Sequence, residues 1–375
     1  MLYVWGRKDW PDFTWQSDRL MRRLGKARLA QGKLLAKISS IGLDFSKESR
    51  CEILIEETMK TSEIEGHKLD KEAVRSSVAR RLGIRTVGLK KTDRNIEGLV
   101  DVILDATINY KMPLTLKRLQ SWQAALFPTG YSSLKKINIG KFRPNTSMQV
   151  VSGPIGRQRI HFEAPPFYKL TSEMKGFINW WEKSSKGIDG LLRAGVAHFY
   201  FVTIHPFEDG NGRIARALSE MALAQDENLE KRYYSVSARI MLERNDYYKI
   251  LERTQKGTID ITEWLEWFLD CFIRAIKDSE DSLSKVINKA VFWQAHTQIT
   301  LNKNQIKVVN RLLDAGEGGF KGDLTTKKYV AMTRVSRATA YRDITDLVEK
   351  RILKKSKSGG RSVSYEILFP KQIRT

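Results

Sequence analysis

The chain has 375 residues, 41% of them hydrophobic, and a formal net charge of +22 at neutral pH. That length allows two or three domains, each with its own core, and the basic excess points to a polyanionic partner. The two cysteines, Cys51 and Cys271, stand too far apart for a disulfide framework or a zinc cluster; no apolar stretch approaches about 18 residues and no G-x-x-x-x-G-K-[ST] occurs, which excludes a membrane span and a P-loop and leaves the cytoplasm as the expected compartment.

The first region, residues 1–88, opens with Trp5, Trp10, Pro11, Phe13 and Trp15, aromatics expected in a core, and continues as long helical patterns. One helix is read from Ser46 or Lys47 to Glu65, with Ser46 as N-cap and Gly66 as the C-terminal stop. Two further helices are expected at residues 95–110 and 114–126. From Gly140 the pattern changes: Lys141-Phe142-Arg143-Pro144, residues 148–154 and residues 159–166 alternate around Gly153-Pro154, which predicts a β-hairpin.

A helical run through Leu192, Val196, Phe199 and Val202 then leads into His205-Pro206-Phe207-Glu208-Asp209-Gly210-Asn211-Gly212-Arg213-Ile214-Ala215-Arg216. Gly210 and Gly212 bracket Asn211 ahead of a second apolar-periodic run (Ile214, Leu218, Met221), so a Gly-rich turn feeds a helix N-terminus whose free N–H groups attract anions. Arg213 and Arg216, three apart on that helix, share a face and present guanidinium forks suited to phosphate oxygens. Asp209 offers a hard oxygen to Mg²⁺, and His205, just before the turn, has the chemistry of a general base. His198, seven residues upstream, lacks further metal ligands and is expected to be packed.

This string resembles the Fic family signature H-P-F-x-[DE]-G-N-G-R-x-x-R, matching it at every fixed position. The resemblance implies transfer of AMP from Mg·ATP to a Ser, Thr or Tyr hydroxyl of a protein, itself included, with loss of pyrophosphate. It assigns base catalysis to His205, Mg²⁺ to Asp209, the phosphates to Gly210, Asn211, Gly212, Arg213 and Arg216, and anchoring of the loop to Phe207. The hairpin would be the flap that pairs with the target segment. Thr61-Ser62-Glu63-Ile64-Glu65-Gly66 is similar to the family's inhibitory motif [ST]-x-x-x-E-[GN], so Thr61, Glu65 and Gly66 would form a restraint in which the Glu65 carboxylate meets Arg216. The Tyr247-Tyr248 segment through Gln255 resembles the nucleobase pocket, with Tyr248 and Gln255 against the base; Gln255 stands where an Asn is common.

Beyond the catalytic region, residues 89–280, a charged joint with Asp278, Glu280 and Asp281 leads to the last segment, residues 296–375. Its first helix carries Ile306, Val309, Leu312 and Leu313, and its second Tyr329, Val330 and Met332. Ser336 is the N-cap of a third that buries Ala340, Ile344, Leu347 and Val348, and a basic hairpin follows. This order resembles a winged helix-turn-helix, with Arg337, Tyr341 and Arg342 facing outward as DNA contacts. From residue 301 onward, 17 Lys and Arg stand against 7 Asp and Glu, which suits phosphate contact. The expected fold is mainly α: a helical N-terminal region, a Fic helical core with one hairpin flap, and the winged helix. Three functions stay open: AMP addition under restraint, AMP removal with Glu65 aligning a water, and a DNA-binding regulator whose Fic domain only senses nucleotide. A homodimer is compatible with all three.

Overall fold

Every residue from Leu191 to Ile204 is buried, as expected of a helix that is apolar on most of its circumference, with Arg193, His198 and Thr203 as its buried polar members, and the larger part of the protein is built about it. The computed structural model describes residues 3–39, 43–84, 92–153, 157–315, 320–356 and 363–369, and the chain divides into two compact units, residues 1–279 and 280–375. In the first unit α1 (Ser17–Ser39), α2 (Leu43–Ile64) and α3 (Lys71–Arg81) precede α4 (Arg94–Ile108) and α5 (Leu116–Leu126). A short hairpin, β1 (Tyr131–Ser132) with β2 (Lys135–Lys136), and a longer one, β3 (Gln149–Ser152) with β4 (Arg159–Glu163), come next. They are followed by α6 (Leu170–Ser184), the central α7 (Gly190–Ile204), α8 (Asn211–Glu227), α9 (Val236–Leu242), α10 (Arg244–Gln255) and α11 (Thr262–Ala295), which ends in the second unit.

Side chains of Asp93, Thr115 and Asp189 accept backbone N–H bonds at the starts of α4, α5 and α7, satisfying donors that a helix leaves free. α7 lies against α8, and α2 packs on α3 and α9. At Gly195 the absence of a side chain lets α11 approach: a Cβ there would meet Leu265 and the Phe268 ring at 2.9 and 3.1 Å, and Trp264 donates its Nε1–H to the Gly195 carbonyl at 2.8 Å.

Three expectations for the first unit are corrected. α2 starts at Leu43, so Ser46 lies inside the helix rather than capping it; Gly42 is the first residue upstream that disfavours helix. Lys141–Pro144 is not a strand, because the Arg143 backbone N–H donates to Pro206 O at 2.9 Å in the signature loop instead of to a ladder. The N-terminal aromatics are half-buried, closing the core from outside: Trp10 and Phe13 meet Tyr200 edge-on at 5.2 and 5.4 Å, while Trp5 and Trp10 donate their indole N–H to Glu163 O and Glu173 Oε2, each at 2.7 Å. The main hairpin pairs Gln149 with Glu163 and Ser152 with Arg159 and carries a bulge after Val150; its turn begins at Gly153 (φ +98°), and Pro154 lies outside the described residues.

The second unit contains α12 (Lys303–Ala315), α13 (Thr326–Thr333), α14 (Arg337–Glu349) and the hairpin of β5 (Leu353–Lys355) with β6 (Tyr365–Ile367). Its core gathers Val308, Leu312, Tyr329, Ile344, Leu347 and Leu353, and the Ser336 side chain accepts from Thr339 N at the start of α14. Ile306 is 40% exposed: the buried face of α12 runs through Gln305, Val308, Val309 and Leu312, one residue out of phase with it. Residues 357–362 of the basic hairpin lie outside the described residues. Among the described residues no helix is long and apolar enough to cross a membrane.

Candidate active site

His205 ends α7 in the left-handed region (φ +52°), a costly conformation for a non-glycine residue and one that clusters at functional sites. Its Nδ1 lies 3.1 Å from Val202 O, a carbonyl that can only accept, so Nδ1 carries the proton and Nε2 keeps its lone pair. Burial pulls the His205 pKa down to about 4, which keeps the ring neutral near pH 7. Its carbonyl accepts from Arg143 Nε at 2.9 Å.

Five residues later Gly210 (φ +89°) turns the chain into α8; a Cβ at this position would meet the Phe127 ring at 3.0 Å and Leu126 at 3.1 Å. The first helical bond here runs from Ile214 N to Gly210 O, so the N–H groups of Asn211, Gly212 and Arg213 have no partner within the helix. The Asn211 side chain is buried and joined twice to the Phe207 backbone, at 3.0 and 2.8 Å. It therefore braces the loop, and only its backbone is left for an anion. Phe207 itself is fully buried.

The two arginines, expected to act together, differ. Arg216, 2% exposed, gives Nε to Thr61 Oγ1 at 2.7 Å and a terminal nitrogen to Thr61 O at 2.9 Å and Glu65 Oε1 at 2.7 Å. Burial opposes the Arg216 cation, but the Glu65 carboxylate outweighs it and holds the pKa above the ordinary value. Gly212 permits this approach, since a Cβ there would run into the Glu65 carboxylate. Gly66 (φ +88°) follows the end of α2. Arg213 lies over the Phe127 ring at 4.7 Å and 3.7 Å from Asp209, and its Nε and one terminal nitrogen, both buried, make no hydrogen bond to any described residue. Burial lowers its pKa.

Asp209 accepts from Ser132 Oγ and from Gly210 N. With His205, Glu65 and Gly212 it lines a cavity of about 560 Å³, which also reaches Tyr248 and Gln255. Gln255 is buried and its Nε2 donates to Thr203 Oγ1 at 3.3 Å; the Tyr248 hydroxyl donates to Ile64 O at 3.4 Å. His198 is buried between Ser219 (3.2 Å) and the Tyr247 hydroxyl (2.9 Å), and burial brings its pKa to about 3. In the second unit Arg337, Tyr341 and Arg342 are exposed on α14, and the first two border a groove of about 760 Å³ with Lys327 and Lys355.

Residues 113–223 match the Fic/DOC family. The crystal structure of a Fic family protein from Desulfovibrio desulfuricans superposes with a TM-score of 0.56 at 17% identity, covering 96% of this chain and 99% of that one. The chain carries a Fic/DOC domain. A Fic domain containing signaling protein from Bacteroides thetaiotaomicron shares the fold at a TM-score of 0.50 and 18% identity, over 71% of this chain and 97% of its own. Residues 3–84 match a domain of unknown function, DUF4172. A probable protein adenylyltransferase of Aquifex aeolicus is 30% identical over 104 residues, 28% of this chain and 30% of its own length. The protein adenylyltransferase Fic of Nematostella vectensis is 32% identical over 108 residues, 28% of this chain and 23% of its own. The chain thus spans less than a third of the length of these curated relatives.

Within this Fic protein the structure adds residues that sequence reasoning missed. Arg143, 1% exposed, joins the His205 carbonyl to that of Pro165, and with no acid among its bonds its pKa is lowered by burial to about 10. Arg244 donates Nε to Ile64 O at 2.7 Å, holding the last turn of α2 from the start of α10. Ser132 comes from the short β1–β2 hairpin, which carries no marked alternation. Ser152, His161 and Glu252 also line the cavity. The signal available for Arg143 was a lone arginine beside Phe142 and Pro144; for Ser152, His161 and Glu252, separated by 9 and 91 residues, no sequence spacing exists to read.

Proposed function

We propose that this Fic protein transfers AMP from Mg·ATP to a hydroxyl group of a protein, and that α2 restrains it. The observation that carries the reading is His205: a neutral ring with its lone pair free, in one cavity with a helix N-terminus. In this reading Nε2 takes the proton of the incoming hydroxyl as its oxygen attacks the α-phosphorus and pyrophosphate leaves. The backbone N–H groups at the start of α8 hold the phosphates, and the unbonded donors of Arg213 await oxygens of the outer phosphates. Asp209 suits Mg²⁺, which commonly takes one or two carboxylates and fills its remaining positions with water and phosphate. Bound there, the ion would neutralise phosphate charge. Tyr248 and Gln255 border the space for the base.

The names of the adenylyltransferase relatives support the same chemistry. The pairing of Arg216 with Glu65 and Thr61 supports the restraint, since a γ-phosphate would need the same fork. The 28%-exposed Glu65 carboxylate at the cavity wall also favours a second reading, in which it aligns a water for AMP removal. We assign restraint to residues 1–88, catalysis to 89–280 and a DNA-binding role to 296–375, the last supported by the exposed Arg337, Tyr341 and Arg342.

Incubation with labelled ATP, Mg²⁺ and lysate proteins tests the reading by mass spectrometry. AMP on a Ser, Thr or Tyr of an added protein is expected, lost in His205→Ala while ATP affinity measured by calorimetry persists. Transfer at the wild-type rate in that variant would remove His205 from the role of base.

A further inference from the structure

A second proton relay faces the same cavity. Ser152, exposed at the end of β3, places Oγ 2.5 Å from His161 Nε2, and His161 Nδ1 lies 2.6 Å from Glu252 Oε2 on α10. The other carboxylate oxygen accepts from Lys256 at 2.6 Å and Arg159 at 3.2 Å. Although partial burial alone would raise its pKa, the bonds from Lys256, His161 and Arg159 hold Glu252 down at about 2. An ionised carboxylate only accepts. In the neutral ring Nδ1–H therefore donates to Glu252, and the lone pair of Nε2 receives the Ser152 hydroxyl proton. This is the order of nucleophile, base and orienting acid found in activated serines.

The backbone makes the arrangement. Val150 pairs with Phe162 and Val151 with Ile160, so His161 is the extra, unpaired residue of the bulge. Bulges re-aim side chains and recur beside active sites; this one turns the imidazole so that it meets both Ser152 across the hairpin and Glu252 on another element. Within the cavity the N-terminal turn of α8 offers unpaired donors to anionic oxygens, which fits a phosphorus electrophile.

We infer that Ser152 is a self-modification site, whose hydroxyl, prepared by His161 and Glu252, accepts AMP from ATP bound in the shared cavity. The inference rests on the AMP-transfer reading above. The Ser152 oxygen forms a bond to the α-phosphorus, the bond from that phosphorus to the bridging oxygen breaks, and pyrophosphate leaves. His161 takes the proton, and Glu252 stabilises the resulting imidazolium. His205 is left to act on foreign hydroxyl groups.

The test uses the full chain carrying Glu65→Gly, with labelled ATP, Mg²⁺ and lysate proteins, followed by peptide mapping. AMP is expected on Ser152, absent in Ser152→Ala and retained in Ser152→Thr, which keeps a hydroxyl. His161→Gln, checked by its melting curve, should slow the labelling of Ser152 by about 100-fold, the usual worth of a general base. AMP on other residues of the chain with Ser152 bare, or equal labelling of Ser152 in His161→Gln, overturns the inference while AMP transfer stands. No AMP on the chain or on any added protein overturns AMP transfer itself, and this site with it.

Discussion

Replacing Glu65 by Gly separates restraint from architecture. The 2.7 Å pair joins a guanidinium that is 2% exposed to a carboxylate that is 28% exposed, so water reaches one partner. A hydrogen bond between charged groups contributes about 1.5–3 kcal/mol, and the exposure of Glu65 argues for the lower half of that range. If a triphosphate must displace this contact to reach Arg216, its removal should raise AMP transfer at subsaturating ATP by roughly 10- to 30-fold, from about 1.5–2 kcal/mol at 1.4 kcal/mol per factor of ten. Arg216 keeps both bonds to Thr61, and Arg244 still holds Ile64 O, so α2 should remain docked. The measurement is the initial rate of labelled AMP incorporation, beside a melting curve. A rate within twofold of wild type at an unchanged melting temperature refutes the restraint. Loss of AMP removal from a modified target, with no gain in transfer, would instead assign Glu65 to positioning water.

The remaining expectations concern titration and the second unit. With its pKa near 4, His205 should remain in its basic form as pH falls from 8, and transfer should decline only as pH drops through about 4; an acid limb near the ordinary 6.5 in kcat/KM would show that the ring is not desolvated in solution. Burial raises the pKa of Glu220 to about 7 despite Arg232, with Glu57 and Glu227 adding to the rise. A carboxyl group raised in the folded state favours folding at acid pH, so its contribution is full below about 4.5 and is lost as pH climbs to about 7. Glu220→Gln should remove that slope, on the order of 2 kcal/mol between pH 5 and 7, in urea melts at those two values; parallel pH dependence in the two proteins would contradict it. The full chain should bind duplex DNA with an affinity that falls steeply with salt, and Arg337→Ala should weaken a preferred site more than random DNA. Absence of any shift at low salt would turn the second unit toward protein contacts.

The signature loop was legible because its chemistry is contiguous: a nest, two arginines three apart and a histidine all fall within twelve residues. α7 was legible because burial on all sides leaves a mostly apolar run, interrupted by Arg193, His198 and Thr203. What escaped the sequence is non-local. Lys141–Pro144 alternates like a strand, yet Arg143 spends its donors on His205, Pro206 and Pro165, partners that no local period encodes. Ile306 was placed in an apolar stripe with Val309, Leu312 and Leu313, while the buried face, which also takes in Gln305 and Val308, turned it outward.

The case of α2 shows why a weak motif can still report a strong contact. Glu57, Thr61 and Glu65 stand four residues apart, and therefore on one face, but that face is polar, so no hydrophobic period reveals it. In the structure this stripe is what docks the end of the helix. Glu57 is buried and accepts from Ser235 Oγ at 2.6 Å, from Ser237 N at 3.3 Å and from the Ser237 hydroxyl. One turn later Thr61 takes two bonds from Arg216, and one turn after that Glu65 takes the third. Glu57 thus sets the rotation of α2 that delivers Glu65, because turning the helix to withdraw Glu65 would also strip a buried carboxylate of its hydroxyl and amide donors, a cost of about 1–3 kcal/mol or more. Release of the proposed restraint by a triphosphate is therefore expected to proceed through the last turn, where, among the described residues, α10 holds Ile64 O alone, with Glu57 and its partners left in place.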